Sequence, residues 1–322
     1  MPGRLLLDTA SLYFRAYFGV PATTAADGVT PVNAVRGLID MIAKFVRERQ
    51  PDEIAACWDN DWRPEWRVAL IPSYKAHRVA GGAPDSPADP SLPVGAGGRG
   101  AQSGVAEIAE ESLSIQVPLI AQVLEAVGIS MVGVDGYEAD DVIGTLARTA
   151  PGKVDVVTGD RDLFQLVNDD CTVLYVARGV SKYEAVDDAW LATRYGITGA
   201  QYVDYAVLRG DPSDGLPGVA GIGEKTAARL LAEHGDLEGI MAAPLSAGVT
   251  ARLAAAVDYI GPAQLVVAVK DDLELTGDLT CPRSPADPEA LEALVERLNI
   301  TSPVQRLLTA LATNEPLLNP RN

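Results

Sequence analysis

Nine carboxylates fall in short bursts spread over most of the chain: Asp8, Asp59, Glu138 with Asp140 and Asp141, Asp160 with Asp162, and Asp211 with Asp214. Several follow directly on apolar runs that read as buried strands, at 5–7, 54–58 and 154–158. Ligands of open parallel sheets bind at the carboxyl ends of strands, so segments distant in sequence would aim acids at one place. Like charges in a small volume need counter-charge, and hard divalent cations such as Mg²⁺ or Mn²⁺ take oxygen ligands and supply it. Two such ions about 3.5–4 Å apart can hold the attacking and leaving oxygens of a phosphodiester. The plainer alternative, solvated caps and turn residues, suits any one of these acids better than all five bursts together.

Two further constellations fit a phosphate-bearing ligand. At 218–229 the sequence GVAGIGEKTAAR offers glycines whose backbone amides can approach an anion, with Lys225 and Thr226 at the start of a helix. Taken with the apolar 201–208 segment before it, this reads as helix, hairpin, helix. A dinucleotide-binding loop is excluded, because no strand precedes it and the glycine spacing is wrong. At 62–78, Arg63, Arg67, Lys75, His77 and Arg78 are interleaved with Trp62, Trp66 and Tyr74. Cations contact phosphates and aromatic rings stack on bases. A plain exposed basic helix would look similar.

The elements that must position these residues alternate in the first half of the chain. Strand-like runs at 5–8, 54–59, 129–132, 154–158 and 172–176 are separated by helical periodicity at 32–47, 115–127 and 139–149, with a short helix at 162–168. This βαβ pattern predicts an α/β fold with a mostly parallel central sheet flanked by helices. Residues 79–104 break the pattern: they are rich in Gly, Pro, Ala and Ser, and read as a mobile surface segment. From about 187 the signals turn helical, at 189–195, 201–208, 225–233, 237–241 and 288–298. The expected division is therefore 1–186 as an α/β core and 187–322 as a helical region.

Composition bounds the function. The 322 residues are 48% hydrophobic and 22% charged, enough for one large or two medium domains. There is no apolar run of about 18 residues to span a membrane, and no secretory leader pattern at the N-terminus. Cys57, Cys171 and Cys281 are too far apart for zinc spacing and fit a reducing compartment. Two histidines, His77 and His234, leave a His-rich metal site or a Ser-His-Asp triad without material. The net charge of −18 argues on its face against nucleic acid, but the nine acids supply half of it and bound cations would offset them.

Taken together, these motifs resemble the 5′ nuclease, or flap endonuclease, family. The similarity is closest to its bacterial 5′–3′ exonuclease branch, which includes the N-terminal nuclease domain of DNA polymerase I. The carriers are LLLD ending at Asp8, Trp58-Asp59, Tyr74-Lys75, GYEADDV over 136–142, TGDRD over 158–162, GDPSD over 210–214, and LPGV running into GIGEKTA over 216–227. The resemblance covers about 5–279 and implies a PIN-like core. It implies that Asp8, Asp59, Glu138 and Asp140 serve a first metal site, with Asp141 close by or acting through water. Asp160, Asp162 and Asp211 would serve a second, with Asp214 nearby.

It further implies a helical arch at about 72–112 with Lys75 and Arg78 at its base on the scissile phosphate. Arg67 and Tyr74 are expected to contact DNA. A helix-two-turn-helix at about 201–234 would hold duplex DNA through Gly221, Gly223, Lys225 and Thr226, with a K⁺ ion on its carbonyls. The implied enzyme is a Mg²⁺- or Mn²⁺-dependent exodeoxyribonuclease and flap endonuclease, with two or more ions per site. It would act on 5′ flaps, nicked or gapped duplex and RNA-primed ends in the bacterial cytoplasm, cooperating with a DNA polymerase and ligase. Three features depart from the family pattern: the arch segment is long and rich in Gly and Pro, Gly215 stands where Asn is common, and no polymerase domain follows. The rival readings are a catalytically silent DNA-binding paralogue, a small RNA-cleaving nuclease and a Ca²⁺-binding structural protein. The first should have lost acids, the second the arch and hairpin, and the third needs an Asp-x-Asp-x-Asp-Gly loop that is absent.

Overall fold

A computed structural model describes residues 3–79 and 111–313 of the chain. Most of the expected arch and of the Gly- and Pro-rich segment lies outside the described residues. The elements in order are β1 (Gly3–Asp8), α1 (Thr9–Gly19), α2 (Asn33–Arg49), β2 (Glu53–Cys57), α3 (Glu65–Leu70), α4 (Glu111–Val127), β3 (Ser130–Val132), α5 (Ala139–Arg148), β4 (Lys153–Thr158), β5 (Cys171–Tyr175) and β6 (Glu184–Val186). Eight helices follow: α6 (Asp188–Tyr195), α7 (Tyr202–Arg209), α8 (Glu224–His234), α9 (Leu237–Ala242), α10 (Ala247–Ala255), α11 (Val257–Val267), α12 (Pro288–Leu298) and α13 (Thr301–Thr313). Short 3₁₀ turns at Ala76–Arg78, Asp162–Leu166 and Pro212–Asp214 carry site residues.

The strands form one six-stranded sheet in the order β3-β2-β1-β4-β5-β6, parallel except for the antiparallel β6 edge. A parallel sheet buried on both faces needs strands apolar at every position. In β1 the alternation sends Leu5 and Leu7 into the layer built with α1, α2, α4, α12 and α13, and Leu6 into the opposite layer with α5, α7 and α8. The order reverses between β1 and β4, and that reversal opens a crevice at the carboxyl ends of the strands. Asp8, Asp59 and Asp160 all lie at that edge.

The sheet and its covering helices match the α/β expectation, and the structure adds elements that the sequence pattern hides. Helix α1 starts on the residue after β1, with Asp8 Oδ1 accepting from Ser11 N at 3.1 Å as its cap. The three-residue β6 is too short to show alternation. The last helices of the helical half return to the first half of the chain. Ile54 N donates to the Leu279 carbonyl and Cys281 N to the Asp52 carbonyl, both at 2.8 Å, and α12 and α13 then pack on α4 and α2 of the first half.

Candidate metal centre and nucleic-acid interface

Each acid is delivered by a different piece of the fold. Thr158, at the end of β4, ties two of them together: its Oγ1 donates to Asp8 Oδ2 at 2.5 Å and accepts from Asp160 N at 2.8 Å. Asp59 follows β2, and its Oδ1 accepts from Ala139 N, the first amide of α5, at 2.8 Å. An acid at a helix amino end is favoured by the helix dipole. Glu138, Asp140 and Asp141 sit at that same helix start. Asp162 opens a 3₁₀ turn whose amide donates to Asp160 Oδ1 at 2.9 Å.

Their charges act on one another across the strand ends. Burial raises Asp8 to about 7, against the Thr158 hydrogen bond that lowers it, with the Asp59 and Asp160 charges adding to the rise. Burial, then the charges of Asp160 and Asp8, holds Asp140 well above the usual carboxylate range. Burial, then Asp160 and Asp214, does the same for Asp162. Asp59 and Asp160 are also raised, burial being the first cause in both. Burial would raise Asp214 too, but Lys75 and Arg78 together bring it below its ordinary value.

Among the described residues, no three His, Cys, Asp or Glu side chains are placed to hold a metal ion by themselves. The acids expected at the two metal sites are thus not gathered into a closed cage among the described residues. The donor chemistry still fits a hard divalent ion. Nothing among the described residues donates a hydrogen bond to the Asp140 or Asp162 carboxylates, and each is pushed toward protonation by desolvation first and by its neighbours' charge second. Mg²⁺ is typically held by one or two carboxylates and keeps several waters, so a full protein cage is not required.

Asp141 lies close by, with its own oxygens already engaged. A carboxylate has about four lone-pair sites, and all of Asp141's are filled: Arg67 Nη2 at 2.7 Å and Lys270 N at 2.8 Å on Oδ1, Arg67 Nη1 at 2.9 Å and Glu138 N at 3.2 Å on Oδ2. It organises the site and has no oxygen free for an ion. Asp211 is partly spent, accepting from Ser213 N at 3.0 Å, from the Ser213 hydroxyl and from Arg209 Nη2 at 2.9 Å.

Arg67 and Tyr74, expected to contact DNA, are not on the surface. Both are buried, because the side chains that looked like a basic, aromatic surface instead close over Glu138. Tyr74 Oη donates to Glu138 Oε1 at 2.8 Å, Lys75 Nζ lies 2.6 Å from Oε2, and Arg67 Nη1 lies 3.3 Å from Oε1. Burial raises Glu138, and Lys75 and Arg67 oppose that rise. Lys75 takes a left-handed backbone, φ 47°, uncommon outside glycine and held here by its surroundings.

The segment carrying Lys75 and Arg78 is docked on the GDPSD motif. Lys75 N donates to the Asp214 carbonyl at 3.0 Å, Ser73 Oγ to the Gly215 carbonyl at 2.7 Å, and Arg78 Nη2 to Asp214 Oδ1 at 2.7 Å and the Ser213 carbonyl at 2.9 Å. Gly215 has φ +73°, and a Cβ there would fall 2.1 Å from the Ser73 carbonyl oxygen. The departure at Gly215 thus belongs to the close approach of these two segments.

The hairpin between α7 and α8 leaves Gly221, Gly223 and Lys225 exposed, with Thr226 half-buried. The Gly221 carbonyl accepts from Arg252 Nη1 at 3.1 Å, so the K⁺ ion expected there would compete with a guanidinium for that oxygen.

One residue escaped the sequence reading. Arg15 of α1 donates from Nη1 to the Ala177 carbonyl at 2.9 Å, while its Nε is buried with no hydrogen-bond partner among the described residues. Burial lowers its pKa, against the nearby charges of Tyr175, Asp8 and Asp160. A Cβ on Gly159 would lie 2.2 Å from Arg15 Nε, so a glycine makes room for it. The available signal was its place two helical turns after Asp8.

Comparisons with known proteins agree with this fold. Residues 4–196 match the 5′-3′ exonuclease N-terminal resolvase-like domain, and 197–289 the 5′-3′ exonuclease C-terminal SAM fold. A 5′-3′ exonuclease of Streptomyces coelicolor is 54% identical over 316 residues, covering 95% of this chain and 99% of that protein. A 5′-3′ exonuclease of Mycobacterium tuberculosis is 46% identical over 326 residues, covering 96% and 98%. The thermostable DNA polymerase I of Thermus thermophilus is 33% identical over 304 residues, 92% of this chain but 32% of that one. Among solved structures, the flap endonuclease of bacteriophage T5 in a pseudo-enzyme–product complex with DNA and metal ions has the same fold. Its TM-score is 0.58 at 14% identity, over 98% of this chain and 100% of that one. No helix among the described residues is long and apolar enough to cross a membrane. The chain belongs to the 5′-3′ exonuclease family, homologous to the N-terminal nuclease domain of DNA polymerase I, and is a phosphodiester-hydrolysing enzyme.

Proposed function

We propose that the chain is a divalent-metal-dependent, structure-specific 5′ nuclease that removes 5′ flaps and 5′ ends beside duplex DNA, including RNA-primed ends. The observation that carries this is the docking of segment 73–78 on 213–215. It fixes two cations beside the acids, Lys75 buried against Glu138 and Arg78 on Asp214, with the α7–α8 hairpin in the same helical half. A phosphate entering between them meets positive charge on one side and acids that favour divalent ions on the other.

Asp8, Asp59, Glu138, Asp140, Asp160 and Asp162 would hold two or more Mg²⁺ or Mn²⁺ ions, with Asp211 and Asp214 beside them. Once bound, such ions lower the pKa of water and stabilise both oxygens of an in-line displacement. Lys75 and Arg78 bind the scissile phosphate and stabilise the charge that grows on it. Arg15 faces the same pool from α1 and adds a third cation. Asp141, Arg67 and Tyr74 hold Glu138 in place. The products carry 5′-phosphate and 3′-hydroxyl ends. The exposed hairpin with Lys225 and Thr226 grips duplex by backbone phosphates, which positions the substrate without reading sequence. The role that fits is primer and flap removal in the bacterial cytoplasm, with a polymerase and a ligase acting on the products.

Cleavage of a labelled 5′-flap duplex, with and without Mg²⁺ or Mn²⁺, tests this reading. Ion-dependent release of the flap is expected. Equal cleavage in a chelator, or preference for single-stranded RNA, would contradict it.

A further inference from the structure

Helix α11 joins the hairpin to the acid pool. Near its amino end Tyr259 Oη accepts from Gly218 N at 3.2 Å and donates to the Val207 carbonyl at 3.3 Å, so it holds both the hairpin and α7. At its carboxyl end the Val266 carbonyl accepts from Arg67 Nε at 3.0 Å. The two ends are seven residues apart, roughly 10 Å of helix.

The strap that follows, 266–270, touches both clusters of acids. Lys270 N donates to Asp141 Oδ1 at 2.8 Å. Gln165, in the turn that begins at Asp162, donates to the Val267 carbonyl and accepts from Val269 N, each at 3.0 Å. On α5 the strap comes so close that a Cβ on Gly144 would lie 2.5 Å from the Lys270 carbonyl oxygen. Little slack remains between the end of α11 and the acids.

Arg67 is the coupling piece. Its guanidinium holds Asp141 through two parallel hydrogen bonds of 2.7 and 2.9 Å, lies 3.3 Å from Glu138 and bonds the Val266 carbonyl. A planar fork can serve all three at once, and an ammonium cannot. A buried ion pair often adds little stability over apolar packing. This one spans three remote segments, which is the arrangement that fixes geometry.

We propose that α11 and the 266–270 strap form a strut that sets the placement of Glu138 and of the Asp162 turn according to how the 218–223 hairpin is seated, with Arg67 as its positioning residue. The inference rests on the reading that this hairpin grips duplex. Seating a duplex then tightens the acid pool, so cleavage is fastest when duplex and 5′ strand are engaged together.

The test combines Tyr259→Phe, which deletes the oxygen at the near end, with Arg67→Lys, which keeps the charge and loses the fork. Single-turnover cleavage of a 5′-flap duplex should slow about 10-fold in each variant, and the double variant should be no more than about 2-fold slower than the slower single. Multiplying effects, near 100-fold in the double, would overturn the proposal. A second measurement needs no cleavage: amide hydrogen exchange at Lys270 in chelator. A plain duplex should slow it in the parent protein and not in Tyr259→Phe. Equal slowing in both, or slowing in neither, would overturn the strut even if Arg67→Lys does not fold. Duplex affinity in Lys225→Ala separates the two failures, since an unchanged affinity removes the grip itself, whereas a weakened affinity with unchanged Lys270 exchange removes only the strut.

Discussion

Lys75 Nζ stands 2.6 Å from Glu138 Oε2, inside a pocket that Tyr74 and Arg67 close. The pair places a cation beside the acids, on the segment expected to begin the arch. On the proposed reading, Lys75→Ala removes charge from the scissile phosphate while leaving the duplex grip alone. Single-turnover cleavage of a flap duplex is expected to fall about 10²-fold or more, with the dissociation constant changed less than about three-fold. A loss of binding equal to the loss of rate would instead make Lys75 a docking residue.

Asp140→Asn should separate stability from activity. Asp140 is half-buried near the like charges of Asp160 and Asp8 and has no donor among the described residues, so removing its charge relieves repulsion. Without divalent ions the variant should melt at a higher temperature than the parent, while cleavage falls by about 10³-fold or more. Thermal melting in chelator checks the first part. A lower melting temperature would mean that Asp140 is held by contacts of its own.

The raised pKa of Asp8, about 7, has a definite sign in stability. The folded protein holds this proton above the pH at which the unfolded chain, near the ordinary value of about 3.9, has released it. The unfolded state therefore binds fewer protons between these values, and ion-free stability falls as pH rises from about 4 to about 7. Divalent ions bind the charged form, so their stabilising effect should grow over the same window. Denaturation at pH 5 and pH 8, with and without Mn²⁺, checks this. An Mn²⁺ effect independent of pH would place the ions away from Asp8.

Lys225→Ala should weaken duplex binding and reduce the slope of log affinity against log salt by roughly one, with little change in the rate once bound. Titration of a plain duplex at several salt concentrations measures it. An unchanged slope would take Lys225 off the phosphate backbone.

Much of the sheet was legible because parallel strands buried on both faces read as largely apolar runs, and β1, β2 and β4 carry an acid at or just after their carboxyl ends. Periodicity was less informative for α1, which starts on the residue after β1 and is rich in aromatic residues, and for the short β6. The site divided in the same way. Asp8, Asp59 and Asp160 were legible from the strand ends that carry them. Arg67 and Tyr74 were not, because an Arg among aromatic residues looks alike whether it stacks on a base or closes over a buried Glu138. Only the partner tells the two apart, and Asp141 and Val266 lie 74 and 199 residues away in sequence. Asp141 resembled a ligand for the same reason: the Lys270 amide that completes its shell belongs to a strap with no motif of its own.

The most direct test of the acid pool is anomalous diffraction from crystals soaked in Mn²⁺. Peaks among Asp8, Asp59, Asp140, Asp160 and Asp162, with Asp141 still held by Arg67, are the expected result. Manganese bound only elsewhere, with these carboxylates left without an ion, would contradict it.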